Sequence, residues 1–452
     1  MEGEIESKRL KPPGQEPASG FGILAARCAL GGYRLLGRCA GPAVRAFLRR
    51  RVARGREDPQ RLGERLGRAG QARPEGPLVW LHGASVGEAV SLLPLIERLR
   101  RDRPDLNLLV TSGTVTSAEM MAERLPAAVI HQYLPVDLPQ AVSAFFAHWR
   151  PALGLMVESE FWPNLIRGAA DAGCTLVLIN GRVSPASYRK WRRFRPLIGT
   201  LLGHFGLIMA RTPRDQAHLE GLGAEAVICP GDLKAAAPPL DVEPAALAAV
   251  AQAIGGRPCW LAASTHAGEE RIVGAVHQAL VRDYPGLLTL LVPRHPARGD
   301  ETRAELTGQG LSVAQRSRGE TATEDTDICL ADTLGEMGLW YRLADLVFVG
   351  GSLVPIGGHN LLEPAKLDCA ILTGPHMANF RQMSEEMAAA GALRQVADPE
   401  QLQASLAALL ADPQARAALS EGATAYAGRQ AGVLDRVVEA LAPLLTRAAA
   451  RR

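Results

Sequence analysis

The ten residues LHGASVGEAV (81–90) place one acidic side chain, Glu88, directly after an apolar run and a glycine turn. Ser85 stands three residues before Glu88, which is the spacing of a capping box, where each side chain satisfies a backbone N–H group at a helix start. The same position lies just beyond a predicted strand, where parallel α/β proteins bind ligands. A carboxylate there can take the proton of an attacking hydroxyl group. The local pattern favours the cap, so the choice depends on the remaining motifs.

Other side chains suited to acid–base or anion-binding chemistry also follow apolar, strand-like runs. In the first half of the chain they are Glu158, Glu160, Arg182, Ser184, Asp232 and Lys234. In the second half they are Ser264, Thr265, His266, Glu269, Pro293, Arg294, His295, Gly335 and Glu336. Because ligands of parallel sheets bind outside the carboxyl ends of the strands, these positions predict a site in a cleft between the two halves.

A glycine-rich stretch, GGSLVPIGGHNLLEPA (350–365), precedes a predicted helix that carries Glu363. Glycines let the backbone approach a ligand closely, and a helix start offers free N–H groups to a phosphate. Asn360 also suits a helix N-cap, which is the structural alternative. Together with Arg294 at a strand exit, the stretch predicts a nucleotide site.

The stretch NGRVSPASYRKWRRFRPLIG (180–199) is basic and aromatic. Its basic residues are Arg182, Arg189, Lys190, Arg192, Arg193 and Arg195, and its aromatic residues are Tyr188, Trp191 and Phe194. Such a composition is typical of sites for single-stranded nucleic acid. It also suits a phosphorylated lipid at a membrane surface. The third interpretation, a solvated helix face, is disfavoured by the three aromatic residues.

The elements that would position these residues alternate between short apolar strands and helices from residue 76 onward. Nearly continuous apolar strands predict parallel sheets covered on both faces. The alternation breaks at 234–250, which predicts a linker, and restarts with PCWLAAST. Both halves begin with strand, Ala-Ser, Gly-Glu and helix, as VWLHGASVGEAV and CWLAASTHAGEERIV. A length of 452 residues likewise favours two domains.

Residues 21–51 carry an arginine stripe beside apolar residues. The arginines are Arg27, Arg34, Arg38, Arg45 and Arg49, spaced by sevens and fours. This pattern favours a helix lying in a membrane interface, and the alternative is an amphipathic helix packed on the domain. No stretch reaches the roughly 18 uncharged apolar residues of a spanning helix. The charged, proline-broken residues before it predict a disordered tail rather than a signal peptide.

Charge, cysteines and missing motifs exclude several classes of function. A net charge of +3 implies no overall polyanion partner, and seven scattered cysteines without a C-x-x-C pair predict reduced thiols in the cytoplasm. The sequence has no P-loop, no GxGxxG after its first strand, no HExxH and no GxSxG. Asp325 and Asp327 form a DxD pair, but they stand at the entry to a strand, which predicts a turn rather than a metal site.

Nine motifs in a fixed order make the combination specific: LHGASVGEAV, YLPVDLP, VESEFWPNLI, NGRVS, GDLK, STHAGEE, LVPRHPAR, DTLGEMGLWYRLAD and FVGGSLVPIGGHNLLEPA. In this order the chain closely resembles the 3-deoxy-D-manno-octulosonic acid (Kdo) transferases of lipopolysaccharide biosynthesis, from about residue 30 onward. One departure is RLGER (61–65), where the family commonly has Trp before Gly-Glu-Arg.

The resemblance implies an α/β fold of the GT-B glycosyltransferase type, with two Rossmann-like domains facing a central cleft. It also implies inverting transfer of Kdo from CMP-Kdo to a lipid A precursor (lipid IVA), without a metal or another cofactor. Composition, patterning and the resemblance together predict a disordered tail (1–20), a basic amphipathic membrane-interface segment (21–56), an acceptor-binding domain (57–238), a linker (239–250), a CMP-sugar-binding domain (251–430) and a C-terminal helix (431–452).

Matching the family motifs to this chain assigns roles to individual residues. Glu88 matches the general base, and Glu158 and Lys234 match positions that support the transition state. The residues that match the CMP site are Pro293, Arg294, Leu334, Gly335, Glu336, Asn360, Leu361, Leu362 and Glu363. The residues expected to bind the acceptor are Arg182, Arg189, Lys190 and Arg192.

The expected partners are CMP-Kdo, a lipid A precursor and the cytoplasmic face of the inner membrane, with no nucleic acid. Sugar-nucleotide epimerases and UDP-sugar transferases share the fold, so the fold alone does not exclude them. The alternative outside the enzymes is a binding protein for acidic lipid or nucleic acid.

Overall fold

The computed structural model describes residues 21–451, so the tail predicted at 1–20 and Arg452 lie outside the described residues. The chain forms two compact units. Unit 1 consists of the residues up to Ala237 together with those from Gly432 onward, and unit 2 is Pro238–Ala431. No helix within the described part is long and apolar enough to span a bilayer.

Each unit is built on one parallel sheet, with seven strands among the described residues. The strands of unit 1 are β1 (Leu78–Gly83), β2 (Asn107–Ser112), β3 (Ile130–Tyr133), β4 (Leu153–Val157), β5 (Thr175–Gly181), β6 (Phe205–Ala210) and β7 (Val227–Ile228). Those of unit 2 are β8 (Cys259–Thr265), β9 (Leu288–Pro293), β10 (Val313–Gln315), β11 (Ile328–Leu330), β12 (Leu346–Val349), β13 (Ala370–Thr373) and β14 (Arg394–Gln395). The predicted α/β class with two parallel-sheet domains is confirmed.

The helices cover both faces of the sheets. In chain order they are α1 (Phe21–Cys39), α2 (Gly41–Val52), α3 (Leu62–Arg65), α4 (Val86–Asp102), α5 (Val115–Arg124), α6 (Pro139–Trp149), α7 (Pro163–Asp171), α8 (Pro185–Arg192), α9 (Arg195–Leu202), α10 (Pro213–Gly221), α11 (Pro244–Ile254), α12 (Glu269–Leu280), α13 (Gly299–Gly308), α14 (Met337–Leu343), α15 (Leu362–Ala365), α16 (Arg381–Ala389), α17 (Pro399–Ala411), α18 (Pro413–Ala431) and α19 (Val433–Ala449). Short 3₁₀ turns span Leu233–Ala236, Pro296–Arg298 and Arg316–Arg318.

The strand order of each sheet creates a topological switch point. Unit 1 has the order β3-β2-β1-β4-β5-β6-β7, and unit 2 has the order β10-β11-β9-β8-β12-β13-β14. In unit 1 the chain continues from β1 toward one side of the sheet and from β4 toward the other, and in unit 2 the same holds for β8 and β12. The loops at the carboxyl ends of each pair therefore run apart, and a crevice forms between them. Open α/β sheets bind their ligands in such a crevice.

The apolar strands are buried on both faces. Along β1, Leu78 and Trp80 pack into one apolar cluster, whereas Val79 and Leu81 pack into the other. Helix α19 returns to unit 1 after the whole of unit 2, and its residue Leu441 is fully buried in the second cluster. The strands therefore read as continuous apolar runs instead of alternating ones.

One segment differs from the sequence interpretation. Most of the predicted linker (239–250) is helical, because α11 starts at Pro244, its alanine-rich sequence favours a helix, and the Glu243 side chain caps it. Helix α1 runs through Gly31, Gly32 and Gly37 without a break. At Gly37 a Cβ atom would lie 2.9 Å from Pro139 Cδ, so this glycine lets α1 pack closely on α6.

Candidate active site

Glu88 lies in the first turn of α4, directly after β1. Ser85 Oγ accepts a hydrogen bond from the Glu88 N–H (3.3 Å) and donates to Glu88 Oε1 (2.8 Å), while the Ala84 N–H donates to Oε2 (2.8 Å). A Cβ atom at Gly83 would come within 2.9 Å of the Ala89 nitrogen, so only glycine lets the helix start so close to the strand. The capping interpretation is confirmed, and the half-buried carboxylate is held at the edge where ligands bind.

Glu158 follows β4, the strand next to β1, in a left-handed backbone conformation with φ of 64°. Its Oε1 atom accepts a hydrogen bond of 2.7 Å from Lys234 Nζ. The Glu158 side chain is 15% exposed and that of Lys234 41%, so solvent reaches the pair mainly from the lysine side. Strained backbone in a non-glycine residue is typical of functional positions.

The turn that carries Lys234 is fixed from two sides. Asp232 Oδ1 accepts from the Lys234 N–H (3.0 Å), and Asn180 Oδ1 accepts from the Leu233 N–H (2.9 Å). Helix α4, which starts with the Glu88 turn, packs against this turn. The three predicted catalytic residues of unit 1 therefore lie along one edge of its sheet.

Asn180 and His82 are site residues that the sequence interpretation missed. Asn180 is buried at the end of β5 with φ of 56°, and its Asn-Gly sequence is a turn signal that indicates this conformation. His82 is fully buried on β1, with Nδ1 2.9 Å from Thr111 Oγ1 and Nε2 3.7 Å from Glu160 Oε2. No local pattern around LHG distinguishes this histidine from a core residue.

Glu160 lines a cavity of about 290 Å³ at the ends of β4 and β5. Burial alone would raise the pKa of Glu160, but His82 and the indole N–H of Trp162 hold it below its ordinary value. Arg182, one of the predicted acceptor ligands, and Trp191 line the same cavity. The cavity therefore offers one carboxylate, one guanidinium and aromatic walls.

The other predicted acceptor ligands, Arg189, Lys190 and Arg192, are exposed on α8. Two of the three aromatic residues of this stretch face inward: Trp191 packs on the core, and the Tyr188 ring stacks on His218 with centroids 4.4 Å apart. Only Phe194 is mostly exposed, at 54%. The stretch therefore lacks the row of exposed rings on which nucleic-acid bases stack.

The strand ends of unit 2 bring a pair of imidazoles next to two predicted CMP ligands, Arg294 and Asn360. The Arg294 N–H donates to Thr265 O (2.9 Å), which ties the exit of β9 to that of β8. His266 and His359 stack with centroids 5.1 Å apart and their Nε2 atoms 2.9 Å apart. Burial, with the charges of His266 and Arg294, lowers the pKa of His359 to about 4, so this imidazole is neutral at pH 7.

Helix α15 begins directly after the glycine-rich loop, and the predicted residue Asn360 forms hydrogen bonds to its first turn. Asn360 Oδ1 accepts from the Leu362 N–H (3.1 Å), and Asn360 Nδ2 donates to Glu363 Oε1 (3.1 Å). Burial raises the pKa of Glu363 above its ordinary value, against the hydrogen bond from Asn360. Leu361 is fully buried, so at most the backbone of this residue is available to a ligand.

The carboxylate of Glu336, another predicted CMP residue, is hydrogen-bonded to other side chains of unit 2. Arg316 donates to both carboxylate oxygens, and these hydrogen bonds hold the pKa of Glu336 below its usual range. The Thr333 hydroxyl also donates to this carboxylate. The loop tip beside it carries Gly335, with φ of 84°, and Leu334, which is 82% exposed. The Glu336 side chain therefore fixes the loop, and the tip is the part free to meet a ligand.

Glu269 has a structural role that its sequence motif does not reveal. This fully buried carboxylate accepts four backbone N–H groups, from His266, Gly351, Ser352 and Leu353, at 2.6–3.0 Å. It binds the exit of β8 to the glycine-rich loop. The histidine pair and the helix start at Asn360 depend on this connection.

No group of three or more His, Cys, Asp or Glu side chains is placed to hold a metal ion in the described part of the chain. The predicted turn role of the DxD pair is confirmed: Asp327 Oδ2 accepts from the Ser312 N–H (2.8 Å), at the amino end of β11.

The sequence and the fold are similar to those of known proteins. The family model for "3-Deoxy-D-manno-octulosonic-acid transferase (kdotransferase)" matches residues 60–237. The 3-deoxy-D-manno-octulosonic acid transferase of Bordetella pertussis is 36% identical, over 91% of this chain and 98% of that protein. The enzyme of Haemophilus influenzae is 33% identical, over 86% and 92%. A solved structure of a putative UDP-N-acetylglucosamine 2-epimerase from Listeria monocytogenes, 12% identical, matches 82% of this chain and 97% of that chain with a TM-score of 0.57, which shows the fold alone.

Proposed function

The chain belongs to the Kdo transferase family, and from this premise we propose that it transfers Kdo from CMP-Kdo to a lipid A precursor. The proposed reaction inverts the anomeric carbon and takes place at the cytoplasmic face of the inner membrane. Unit 1 would supply the chemistry on the acceptor side, and unit 2 would bind the donor, as in other enzymes of the GT-B fold.

The observation that carries the proposal is the edge of the unit 1 sheet. Glu88 follows β1, and the ion pair of Glu158 with Lys234 (2.7 Å) follows the neighbouring strand β4. A base and a fixed cation beside a topological switch point are what the attack of an alcohol on a sugar carbon requires. A binding protein would have no need of a carboxylate kept half-accessible at this point.

Glu88 would act as the general base. In the described state its Oε1 atom is occupied by the Ser85 hydroxyl (2.8 Å), which is exposed and free to rotate. An acceptor hydroxyl that takes the place of this donor replaces one hydrogen bond to the carboxylate by another of the same kind. The proton then moves to Glu88 as the new glycosidic bond forms.

Unit 2 would hold the donor through its strand ends. Arg294 and the N–H groups at the Asn360 helix start suit the CMP phosphate, and the Glu363 carboxyl suits the ribose hydroxyls. Fixed donors of this kind stabilise the charge that develops on the leaving phosphate. We therefore assign no metal to the reaction.

The acceptor would approach through the basic side of unit 1. The exposed residues Arg189, Lys190 and Arg192 suit the phosphates of a lipid A precursor, and Arg182 extends them to the cavity beside Glu160. Helix α1 packs one side on unit 1 but leaves Leu24 and Leu36 exposed, at 60% and 73%. Apolar residues beside an arginine stripe favour a membrane interface.

The test combines purified protein, CMP-Kdo generated in situ and a tetra-acylated lipid A precursor, with the products weighed by mass spectrometry. We expect the mass of the acceptor to rise by one or more Kdo units. Glu88→Gln should lower turnover by about 10²–10⁴-fold while CMP still binds. The control Glu97→Gln, at an exposed position of the same helix α4, should keep wild-type turnover and wild-type CMP binding.

Two results would contradict the proposal. Wild-type protein that binds CMP but forms no product would point to another donor sugar or another acceptor. A Glu88→Gln variant with wild-type turnover would remove Glu88 from the role of base.

A further inference from the structure

A groove on unit 1 shares no lining residue with the candidate active site. Helices α1, α6 and α7 enclose a cavity of about 370 Å³, a volume within the usual range of about 300–1,000 Å³ for ligand pockets. Its floor includes the buried side chains of Val142 and Phe146. Ser143 and Ala147 line it from the exposed side of α6. Gly168 lets α6 and α7 meet below it, since a Cβ atom there would lie 2.5 Å from Val142 Cγ1.

The charge around this groove is positive. Arg34 from α1, Arg150 from the end of α6 and Arg167 from α7 line the groove together with one carboxylate, Asp171. Asp171 contacts Arg34 (3.5 Å) and Arg167 (3.0 Å), which leaves two positive charges in excess at the groove. An anion of one or two negative charges would balance this excess.

Arg150 occupies a position that normally favours another residue. It ends α6 in the left-handed conformation, with φ of 44°, where helices most often carry glycine. The cation at this place faces the negative end of the helix dipole and lines the groove. Arg150 therefore adds a third arginine to the lining of the groove, from a strained backbone position.

Helix α1, which supplies Arg34 to the groove, also carries exposed apolar residues. Leu35 and Leu36, next to Arg34 in the chain, are 62% and 73% exposed. Leu24 and Leu35 are eleven residues apart, or three helical turns, so they share one face of the helix. A surface that places apolar side chains next to a cationic pocket matches the boundary between acyl chains and phosphates in a bilayer.

We propose that this groove binds the headgroup phosphate of an anionic phospholipid of the bilayer, between Arg34, Arg150 and Arg167. The inference rests on the membrane location proposed above, and it adds a specific lipid site to a general surface attraction. A bound phospholipid would hold α1 in the interface in one orientation, with the acyl chains beside Leu35 and Leu36.

The test uses the full chain and soluble dihexanoyl phosphatidylglycerol, with binding followed by titration calorimetry. We expect saturable binding that dihexanoyl phosphatidylcholine and inorganic phosphate do not reproduce. Ser143→Trp fills the groove without changing its charge, and it should weaken the affinity about tenfold or more, as expected for the loss of one or two arginine contacts. Ala144→Trp places the same bulk one position away on α6, outside the groove, and should bind normally.

A second pair of variants tests the charge without adding bulk. Arg34→Gln should weaken binding of the short-chain lipid about five- to tenfold, whereas Arg45→Gln, from the same arginine stripe, should not. If Arg45→Gln and Arg34→Gln weaken binding equally, the attraction is general and the site is absent. Equal binding of inorganic phosphate, or no saturable binding at all, also overturns the proposal.

Turnover separates this inference from the proposed reaction. With a detergent-solubilised acceptor, all four variants should form product at the wild-type rate, because none of the altered residues belongs to the proposed active site. Loss of lipid binding with normal turnover would support the groove alone. Normal lipid binding in a protein that makes no product would contradict the reaction and leave the groove in place.

Discussion

Glu88 and Glu269 occupy equivalent places in the two units, yet their surroundings differ. Each is in the first turn of the helix that follows the first strand of its sheet. Glu269 is fully buried and accepts four backbone N–H groups. Glu88 is half-buried and accepts one backbone N–H group and one hydroxyl group.

The difference separates a structural carboxylate from one that remains available for chemistry. Backbone N–H groups cannot leave without unfolding the loop that carries them, so Glu269 has no capacity for a substrate. The hydroxyl on Glu88 can rotate away at little cost. Similar sequence motifs therefore serve two purposes, and the number of fixed donors on each carboxylate distinguishes them.

The largest expected effect concerns the structural member of the pair. Glu269→Gln replaces one acceptor oxygen by an amide NH₂ group and leaves buried N–H groups unpaired, which should cost about 3 kcal/mol, or about 10 °C in melting temperature. The measurement is thermal unfolding of Glu269→Gln and, for comparison, of Glu88→Gln. Glu88→Gln should shift the melting temperature by less than about 4 °C. An unchanged melting temperature for Glu269→Gln would remove the distinction.

The next effect concerns the cation that accompanies Glu88. Lys234→Met should lower kcat/KM by about 100-fold, as the loss of one fixed electrostatic donor usually does. Its ion pair with Glu158 is partly exposed, so stability should change little. The measurement is steady-state kinetics beside CMP binding, which should be unchanged. Wild-type kcat/KM would mean that Lys234 only holds Glu158.

A smaller effect separates capping from catalysis at Glu88. Ser85→Ala removes the N-cap of α4 and should cost about 1 kcal/mol of unfolding free energy. Turnover should fall less than about tenfold, because the acceptor hydroxyl replaces this donor in the proposed reaction. Thr114→Ala, which removes the N-cap of α5, is the matched control for stability. A loss of turnover specific to Ser85→Ala beyond that limit would make Ser85 part of the catalytic machinery.

Removal of metal ions is expected to have no effect on turnover. Because the proposed charge stabilisation comes from Lys234, Arg294 and backbone N–H groups, turnover should be the same after dialysis against EDTA. The check is the same product assay with and without added Mg²⁺. Loss of activity that Mg²⁺ restores would add a metal to the site and contradict this part of the mechanism.

The sequence predicted the sheets well, since fully buried strands appear as continuous apolar runs. It missed β10 and β14, which have three and two residues and sit at the outer edges of the unit 2 sheet. Their residues, VAQ and RQ, form no apolar run of the kind that marks the other strands. Helix α1 forms despite the poor helix propensity of its glycines, and Gly37 packs on Pro139.

The motifs named Glu88, Glu158 and Lys234, but the contacts of these residues were predictable only where the partners are close in the chain. The Ser85–Glu88 cap spans four residues, so its spacing is visible in the sequence. Lys234 and Glu158 are 76 residues apart, and only the folded sheet brings them to 2.7 Å. The engagement of Glu336 by Arg316 and the four N–H groups on Glu269 depend in the same way on loops that meet after folding.

The return of α19 to unit 1 has a consequence for biosynthesis. Leu441 and its neighbours cover one apolar face of the first sheet, yet a ribosome makes them after all of unit 2. The domain that is translated first is thus completed last, and its nascent sheet stays partly uncovered while about 200 further residues emerge, at roughly 5–20 residues per second. Chaperone dependence during translation should therefore concentrate on the first domain.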